Sequence, residues 1–221
     1  QQRYCLRIRE CLEACSELGG DFWSMKPLSD HELAIFSVDF SGHGVNAALN
    51  VFRLHALIHS AHGVAGNPGA YLTHLNATLK SLLPVGQFAT MFYGIIDTAR
   101  DTLSFASACA PAPIVFRTGG YDVLDASGML LGAWKDATYE TREVPFKRGD
   151  CLLLYSDALI ETPDAAGSMM AMEKAAEIFA ANLSGDASCS SSFVLDDGDV
   201  QSLDCDRDDT YLVKQTSQPT G

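Results

Sequence analysis

The most constraining feature of the sequence is a pair of helical patterns that follow one another between groups of strand-like runs. The first pattern begins after Gly44 and continues to about His62. The second begins at Asn67-Pro68, a typical N-cap followed by proline at the first helical position. Strands that alternate with single helices would indicate a doubly wound parallel sheet. Because two helices are adjacent here, the sequence predicts an α+β fold in which antiparallel sheets carry helices on their faces.

Strand-like runs lie on both sides of the helix pair, and a third helical pattern covers residues 171–183. In the strand-like run 151–156, residues 151–155 are continuously apolar and are expected to be buried. Region 184–209 is rich in Ser and Asp, a composition typical of segments that are mobile in part. The other predicted strands are 4–9, 33–38, 88–96, 102–106, 113–117 and 211–213.

Length, charge and cysteine usage limit the class of protein. The 221 residues, 47% of them hydrophobic, suffice for one large domain, which we predict to span 1–221. A net charge of −13 argues against nucleic acid and against an anionic membrane surface, since no basic patch could neutralise phosphates. No apolar run approaches the roughly 18–20 residues that span a bilayer. Seven cysteines without a CxxC pair favour a reducing cytoplasm.

Several aspartates stand at the ends of predicted strands or beside turns. Asp39, for example, ends the apolar run 33–38 and opens a glycine-rich segment. Carboxylates gathered at one edge repel each other, and divalent cations with oxygen ligands would relieve that repulsion. Taken singly, each Asp is more often an N-cap or a turn residue. The candidate metal ligands are Asp21, Asp39, Asp157 and the group Asp206, Asp208 and Asp209.

Other apparent metal patterns are weaker. Three histidines of the first helical pattern, His55, His59 and His62, lie on adjacent turns, but no Glu stands in the position that an HExxH zinc site requires. The cluster 196–199 lacks the alternating aspartates and the closing Glu of an EF-hand loop. The strand-end aspartates therefore remain the stronger candidates.

Seven blocks of the sequence, in order, resemble the bacterial branch of the metal-dependent serine/threonine protein phosphatases, the SpoIIE/RsbU-type PPM (PP2C-like) domains. The resemblance covers nearly the whole chain, and it rests on the order of the blocks because any single block is weak. The blocks are Ser16–Phe22, Asp39–Leu49, Phe88–Gly94, Leu131-Gly132, Gly149-Asp150, Leu152–Asp157 with Glu161, and Asp208–Thr210.

The resemblance implies a four-layer αββα sandwich in which helix pairs enclose two antiparallel sheets. It also implies two Mn²⁺ or Mg²⁺ ions as cofactors and a water, activated by them, that attacks phosphoserine or phosphothreonine. Carried over by motif, Asp39 would bridge both ions and the Phe40 carbonyl would ligate one of them. Asp157 and Asp208 would hold the other ion, and Asp21 would ligate directly or through water.

The sequence departs from the family pattern in three places. Ala158 replaces the usual Gly after the third acidic motif, and Asp209 abuts Thr210, which makes Asp206 the alternative to Asp208 as a ligand. Residues 109–113 replace a Gly-His-Pro-like turn. These departures leave two hypotheses open: a phosphatase whose activity is weakened, or a degenerate phosphatase fold that serves as a regulated protein-binding adaptor.

The resemblance also implies partners. Domains of this branch typically act on a phosphorylated anti-sigma-factor antagonist in two-component or stress signalling. Because strand-like alternation begins almost at Gln1, we expect the chain to be the C-terminal part of a longer regulator. An upstream receiver domain would make it a response-regulator output domain of the HsbR/RssB type. A linker helix that includes Arg9 to Glu17 would allow a homodimer.

Overall fold

The computed structural model describes residues 6–11, 20–42, 44–157, 172–183 and 210–215. In chain order the strands are β1 (Leu6–Cys11), β2 (Asp21–Pro27), β3 (Glu32–Phe40), β4 (Ala89–Asp97), β5 (Thr102–Ala108), β6 (Ile114–Arg117), β7 (Gly120–Val123), β8 (Arg142–Pro145), β9 (Cys151–Tyr155) and β10 (Thr210–Gln215). The helices are α1 (Val45–Ser60), α2 (Pro68–Leu82) and α3 (Met172–Leu183), and a short 3₁₀ helix covers His62–Val64.

The chain forms two compact units, each built from separate segments. The helix-pair unit comprises Ser16–Ala110 and Ala126–Lys147. The terminal-strand unit comprises Gln1–Cys15, Pro111–Asp125 and Arg148–Gly221.

The helix-pair unit contains a five-stranded sheet in the order β2-β3-β4-β5-β8, in which every neighbouring pair is antiparallel. Both α1 and α2 pack on this sheet. Successive side chains of a strand point to opposite faces, and on β3 the buried residues Phe36, Val38 and Phe40 belong to the core beneath the helices. Asp39 therefore lies on the face of β3 that points away from the helix pair.

The two helices begin as their sequences predict. Asn67 is the N-cap of α2, where its side chain accepts a hydrogen bond from the Ala70 amide at 3.0 Å. Gly44 is the N-cap of α1 with φ 74°, a left-handed conformation that glycine adopts without strain. Burial of Leu54 on α1 and Leu72 on α2, both 0% exposed, anchors the helices to the sheet.

Tyr71 and Tyr93 stack at the centre of this core, with ring centroids 4.0 Å apart. The Tyr93 hydroxyl donates a hydrogen bond to the Ala65 carbonyl at 2.9 Å. Burial raises the pKa of both phenols well above the usual value, so both rings stay neutral. The hydroxyl therefore acts as a satisfied buried donor.

The terminal-strand unit contains the second five-stranded sheet, in the order β1-β10-β9-β6-β7. The pairs β9–β6 and β6–β7 are antiparallel, whereas β1–β10 and β10–β9 are parallel. Apolar side chains of α3, among them Ala176 and Phe179, pack against buried residues of β6 and β9. Arg117 bonds to the buried Asp150 at 2.7 Å and so links β6 to the residue before β9.

The prediction of an α+β chain with two sheets is confirmed, and the predicted helices agree with α1, α2 and α3 within one or two residues. The sequence patterns missed the edge strands β2, β7 and β8. They also gave no sign of the parallel pairing of β1, β10 and β9. Region 184–209 lies outside the described residues. Among the described helices, none combines the length and apolarity needed to cross a membrane.

Gly69 gives a test of the packing of α2 against residues 139–141. A Cβ at residue 69 would collide with the Tyr139 carbonyl oxygen and lie 2.9 Å from the Thr141 amide nitrogen. We expect Gly69→Ala to lower the free energy of unfolding by about 1–3 kcal/mol, the usual cost of overpacking. At Gly63 an added Cβ meets nothing within 4 Å, so Gly63→Ala is the matched control in the same chemical denaturation experiment. Equal stability of the two variants would contradict this packing.

Candidate metal centre

Asp21 and Asp39 face each other across the pair β2–β3. They are directly opposed in the antiparallel register, and the register fixes both side chains on the face away from the helix pair. The Phe40 amide donates to the Gly20 carbonyl at 3.2 Å, which makes the adjacent Asp21–Asp39 pair a non-hydrogen-bonded one. Side chains approach most closely in pairs of that type. The two carboxyl groups are both partly buried.

Gly20 allows the Phe40 backbone to approach β2 closely. A Cβ at residue 20 would lie 2.7 Å from the Phe40 carbonyl oxygen and 3.4 Å from the Ala47 side chain. Any larger residue would therefore displace either the carbonyl or the start of α1. The close approach of this carbonyl to β2, at the position next to the Asp21–Asp39 pair, depends on the absence of a side chain at position 20.

Ser41 is held at two points by the residue before β4. Its amide donates to the Phe88 carbonyl at 2.9 Å, and its hydroxyl accepts from the Phe88 amide at 3.0 Å. Gly42 follows with φ 94°, a conformation that favours glycine, and α1 begins at Val45. The segment after Asp39 is thus fixed by strand pairing on one side and by a turn into α1 on the other.

Thr90 is a site neighbour to which the sequence reasoning assigned no role. It is the register partner of Asp39 on β4, so Asp21, Asp39 and Thr90 form a row across three strands on one face. Thr90 lies within the block 88–94 that supported the family resemblance. Its position beside an acidic residue could have been found only from the β3–β4 register.

Asp157 belongs to the terminal-strand unit and follows the end of β9 by two residues. Its side chain is exposed, whereas Ser156 before it is buried at 7% exposure. The Ser156 hydroxyl oxygen is one of two buried side-chain oxygens for which the described residues provide no hydrogen-bond partner. A buried hydroxyl without a partner is costly unless a ligand or water completes it.

The structure brings together only part of the predicted ligand set. Asp21, Asp39 and Phe40 lie together in the helix-pair unit. Asp208 lies outside the described residues, as do its alternatives Asp206 and Asp209. Ala158 and Glu161, which follow Asp157 in the sequence, lie outside them as well. Among the described side chains, no group of three or more His, Cys, Asp and Glu is assembled.

The turn that replaces the family's Gly-His-Pro-like sequence has a strained start. Cys109 is exposed and has φ 57°, in the left-handed region that glycine would adopt readily. The following amide, that of Ala110, donates to the Ser107 hydroxyl at 3.2 Å. The chain therefore keeps a glycine-like backbone at this turn although the glycine is absent.

The residues present fit a hard divalent cation. Two facing carboxylates would repel each other in the absence of positive charge. Carboxylate and backbone carbonyl oxygens are the ligands that Mg²⁺ and Mn²⁺ take, and the Gly20 position leaves the space that such a carbonyl needs.

The sequence model of the family described as Stage II sporulation protein E (SpoIIE) matches residues 29–213. The chain belongs to the SpoIIE family. It is 26% identical over 162 residues to the phosphoserine phosphatase RsbP of Bacillus subtilis. The aligned region covers 71% of this chain and 40% of RsbP. It is 25% identical over 163 residues to the phosphoserine phosphatase RsbU of the same organism, covering 72% of this chain and 48% of RsbU.

A solved structure of the same fold supports the architecture. The RsbU and RsbW domains of Rv1364c from Mycobacterium tuberculosis align with a TM-score of 0.68 and 21% identity, over 81% of this chain and 51% of that one. The PP2C-like fold that the family resemblance implied is therefore confirmed. The chain spans half or less of the length of the two curated relatives.

Gly20→Ala tests the close approach of the Phe40 carbonyl to residue 20. We expect Gly20→Ala to lower the free energy of unfolding by about 1–3 kcal/mol in metal-free buffer, because the new Cβ must displace the Phe40 carbonyl or α1. Gly120→Ala is the control, since an added Cβ there meets nothing within 4 Å. Chemical denaturation in the presence of a chelator measures both. A Gly20→Ala protein as stable as the Gly120→Ala protein would show that Phe40 does not approach residue 20 so closely.

Proposed function

We propose that this chain is a Mn²⁺- or Mg²⁺-dependent phosphoprotein phosphatase that removes phosphate from serine or threonine. The observation that carries the proposal is the direct opposition of Asp21 and Asp39 beside the Phe40 carbonyl. Membership of the SpoIIE family and the phosphoserine phosphatases among the relatives support it. We take residues 1–221 as one catalytic domain.

The residues of the chain would share the work in the following way. Asp39, with the Phe40 carbonyl, would hold the cations, and Asp21 would complete the set from β2. By the family resemblance, Asp157 and Asp208 would be further ligands. Bound Mn²⁺ or Mg²⁺ would lower the pKa of a coordinated water and stabilise negative charge on the phosphoryl oxygens. The hydrogen bonds of Ser41 to Phe88 would keep the ligands in place during the reaction.

The relatives support a phosphoserine protein as the class of substrate. RsbP and RsbU are phosphoserine phosphatases, and we propose a phosphorylated anti-sigma-factor antagonist as the substrate of this chain. A net charge of −13 gives an anionic phosphoprotein no general attraction, so recognition would depend on the cations and on local contacts. An upstream receiver and a response-regulator context remain predictions of the resemblance. The linker helix expected over Arg9 to Glu17 is wrong for residues 9–11, which belong to β1, and the homodimer remains a prediction.

Asp39→Asn tests the proposal. Because the variant keeps the shape of the side chain but loses its charge, we expect Mn²⁺-dependent hydrolysis of a phosphoserine peptide to fall by more than about 100-fold. Loss of even an outer partner of a metal ligand costs about 10–100-fold. Steady-state kinetics over a Mn²⁺ titration measure the change.

Asp136→Asn, in an exposed loop of the same unit, is the matched control and should keep wild-type activity. Wild-type protein that binds Mn²⁺ but hydrolyses no verified phosphoprotein partner would contradict catalysis. That result would favour the adaptor hypothesis, which the altered motifs at Ala158 and Thr210 motivate.

A further inference from the structure

Both side-chain polar atoms of a buried asparagine on α1 are hydrogen-bonded to neighbouring side chains. Asn50 is 1% exposed. Its Nδ2 donates to the Gln87 Oε1 at 2.7 Å, and its Oδ1 accepts from the Arg53 Nη1 at 2.7 Å. A buried amide is costly unless its polar atoms are paired. The link between Asn50 and Gln87 therefore fixes the distance between α1 and the turn that leads into β4.

That turn also holds the segment after Asp39. The backbone N–H of Gln87 donates to the Pro84 carbonyl at 3.1 Å, which closes the turn. The next residue, Phe88, makes both hydrogen bonds to Ser41. A displacement of Gln87 is therefore transmitted, through one peptide unit, to the residue that holds Ser41.

The Ser41 amide belongs to the same peptide plane as the Phe40 carbonyl. In a planar trans peptide the N–H and the C=O point in opposite directions, and all described peptide bonds are trans. Because the Ser41 N–H points at the Phe88 carbonyl, the Phe40 C=O is directed away from Phe88, towards the side on which Gly20 lies. The orientation of this candidate ligand thus depends on the position of Phe88.

We propose that Asn50 and Gln87 are positioning residues: their hydrogen bond holds the Phe40 carbonyl and Asp39 in the orientation that binds a divalent cation. The inference rests on the proposed function and goes further, because neither residue belongs to the predicted ligand set. Cation affinity would then depend on a contact between α1 and the turn before β4. The bond would act on the Phe40–Ser41 peptide without touching the cation.

Gln87→Met is the main test, because methionine keeps the length of the side chain and removes the acceptor. We expect the Kd for Mn²⁺, measured by calorimetry on metal-free protein, to rise about tenfold, which corresponds to about 1.4 kcal/mol. The Mn²⁺ concentration that gives half-maximal hydrolysis should rise by the same factor. The kcat at saturating Mn²⁺ should stay within about twofold of wild type, since a high cation concentration restores the ligand geometry.

Tyr93→Phe is the matched control, because it also removes one buried hydrogen bond, that to the Ala65 carbonyl, from the same unit. In the presence of a chelator, we expect Tyr93→Phe to lower the free energy of unfolding about as much as Gln87→Met does. The Mn²⁺ Kd of Tyr93→Phe should change by less than about twofold. This comparison separates positioning of the ligands from a general loss of stability.

Asn50→Leu and the double variant with Gln87→Met provide a second route if one variant folds poorly. Gln87→Met leaves the Nδ2 of the buried Asn50 without this partner, and Asn50→Leu does the same to the Oε1 of the partly buried Gln87. The double variant removes both ends of the bond. We expect the double variant to bind Mn²⁺ no more weakly than the weaker single variant.

The outcomes distinguish the two proposals. A Gln87→Met protein with a Mn²⁺ Kd within about twofold of wild type would overturn the positioning role and leave the phosphatase proposal in place. Equal weakening by Tyr93→Phe and Gln87→Met would also overturn it, because the effect would then follow stability alone. Wild-type protein that binds no Mn²⁺ at millimolar concentration would overturn both proposals.

Discussion

Antiparallel pairing of β2 with β3 places the carboxylates of Asp21 and Asp39 directly opposite each other, and the rest of the candidate site is arranged around that opposition. The register is fixed from the other face of the sheet. Phe22 packs there against Phe36, with ring centroids 5.9 Å apart, and against His55 of α1 at 5.8 Å. A slip of one residue would send every β2 side chain to the wrong face. Packing of the partly buried Phe22 ring thus favours the register in which Asp21 and Asp39 are opposed.

Two like charges in a directly opposed pair weaken a sheet. The backbone around the two carboxylates is closely packed. A Cβ at residue 20 would lie 2.7 Å from the Phe40 carbonyl oxygen, and Ser41 makes two hydrogen bonds to Phe88. A divalent cation bound between the two carboxylates would offset their repulsion. Because a ligand that binds only the folded state stabilises it, such a cation would add to the stability of this part of the fold.

Much of the fold could be predicted from the sequence, because the helices and central strands have strong periodic patterns and clear caps. Asn67-Pro68 marks the start of α2, and the apolar run of β9 marks a buried strand. The edge strand β2 could not be found in this way, since Asp21–Pro27 mixes polar and apolar residues and ends in proline. Parallel pairing of β10 between β1 and β9 depends on partners distant in the chain, which local patterns do not encode.

The acidic motifs could be predicted from residue type and order. Their neighbours in the fold could be identified only from the β2–β3 and β3–β4 registers. Asp39 was recognisable as a strand-end carboxylate, but neither Thr90 beside it nor the path from Asn50 to Ser41 has a sequence signature. Asp208 remains a prediction from its motif, because it lies outside the described residues.

The central claim is that Asp39 and the Phe40 carbonyl hold a divalent cation, and a crystal grown with Mn²⁺ tests it most directly through anomalous scattering. We expect an anomalous peak within coordination distance of the Asp39 carboxylate and the Phe40 carbonyl oxygen, and its loss in Asp39→Asn. Manganese bound only elsewhere in the chain, or no peak at millimolar Mn²⁺, would show that these two groups do not hold the cation.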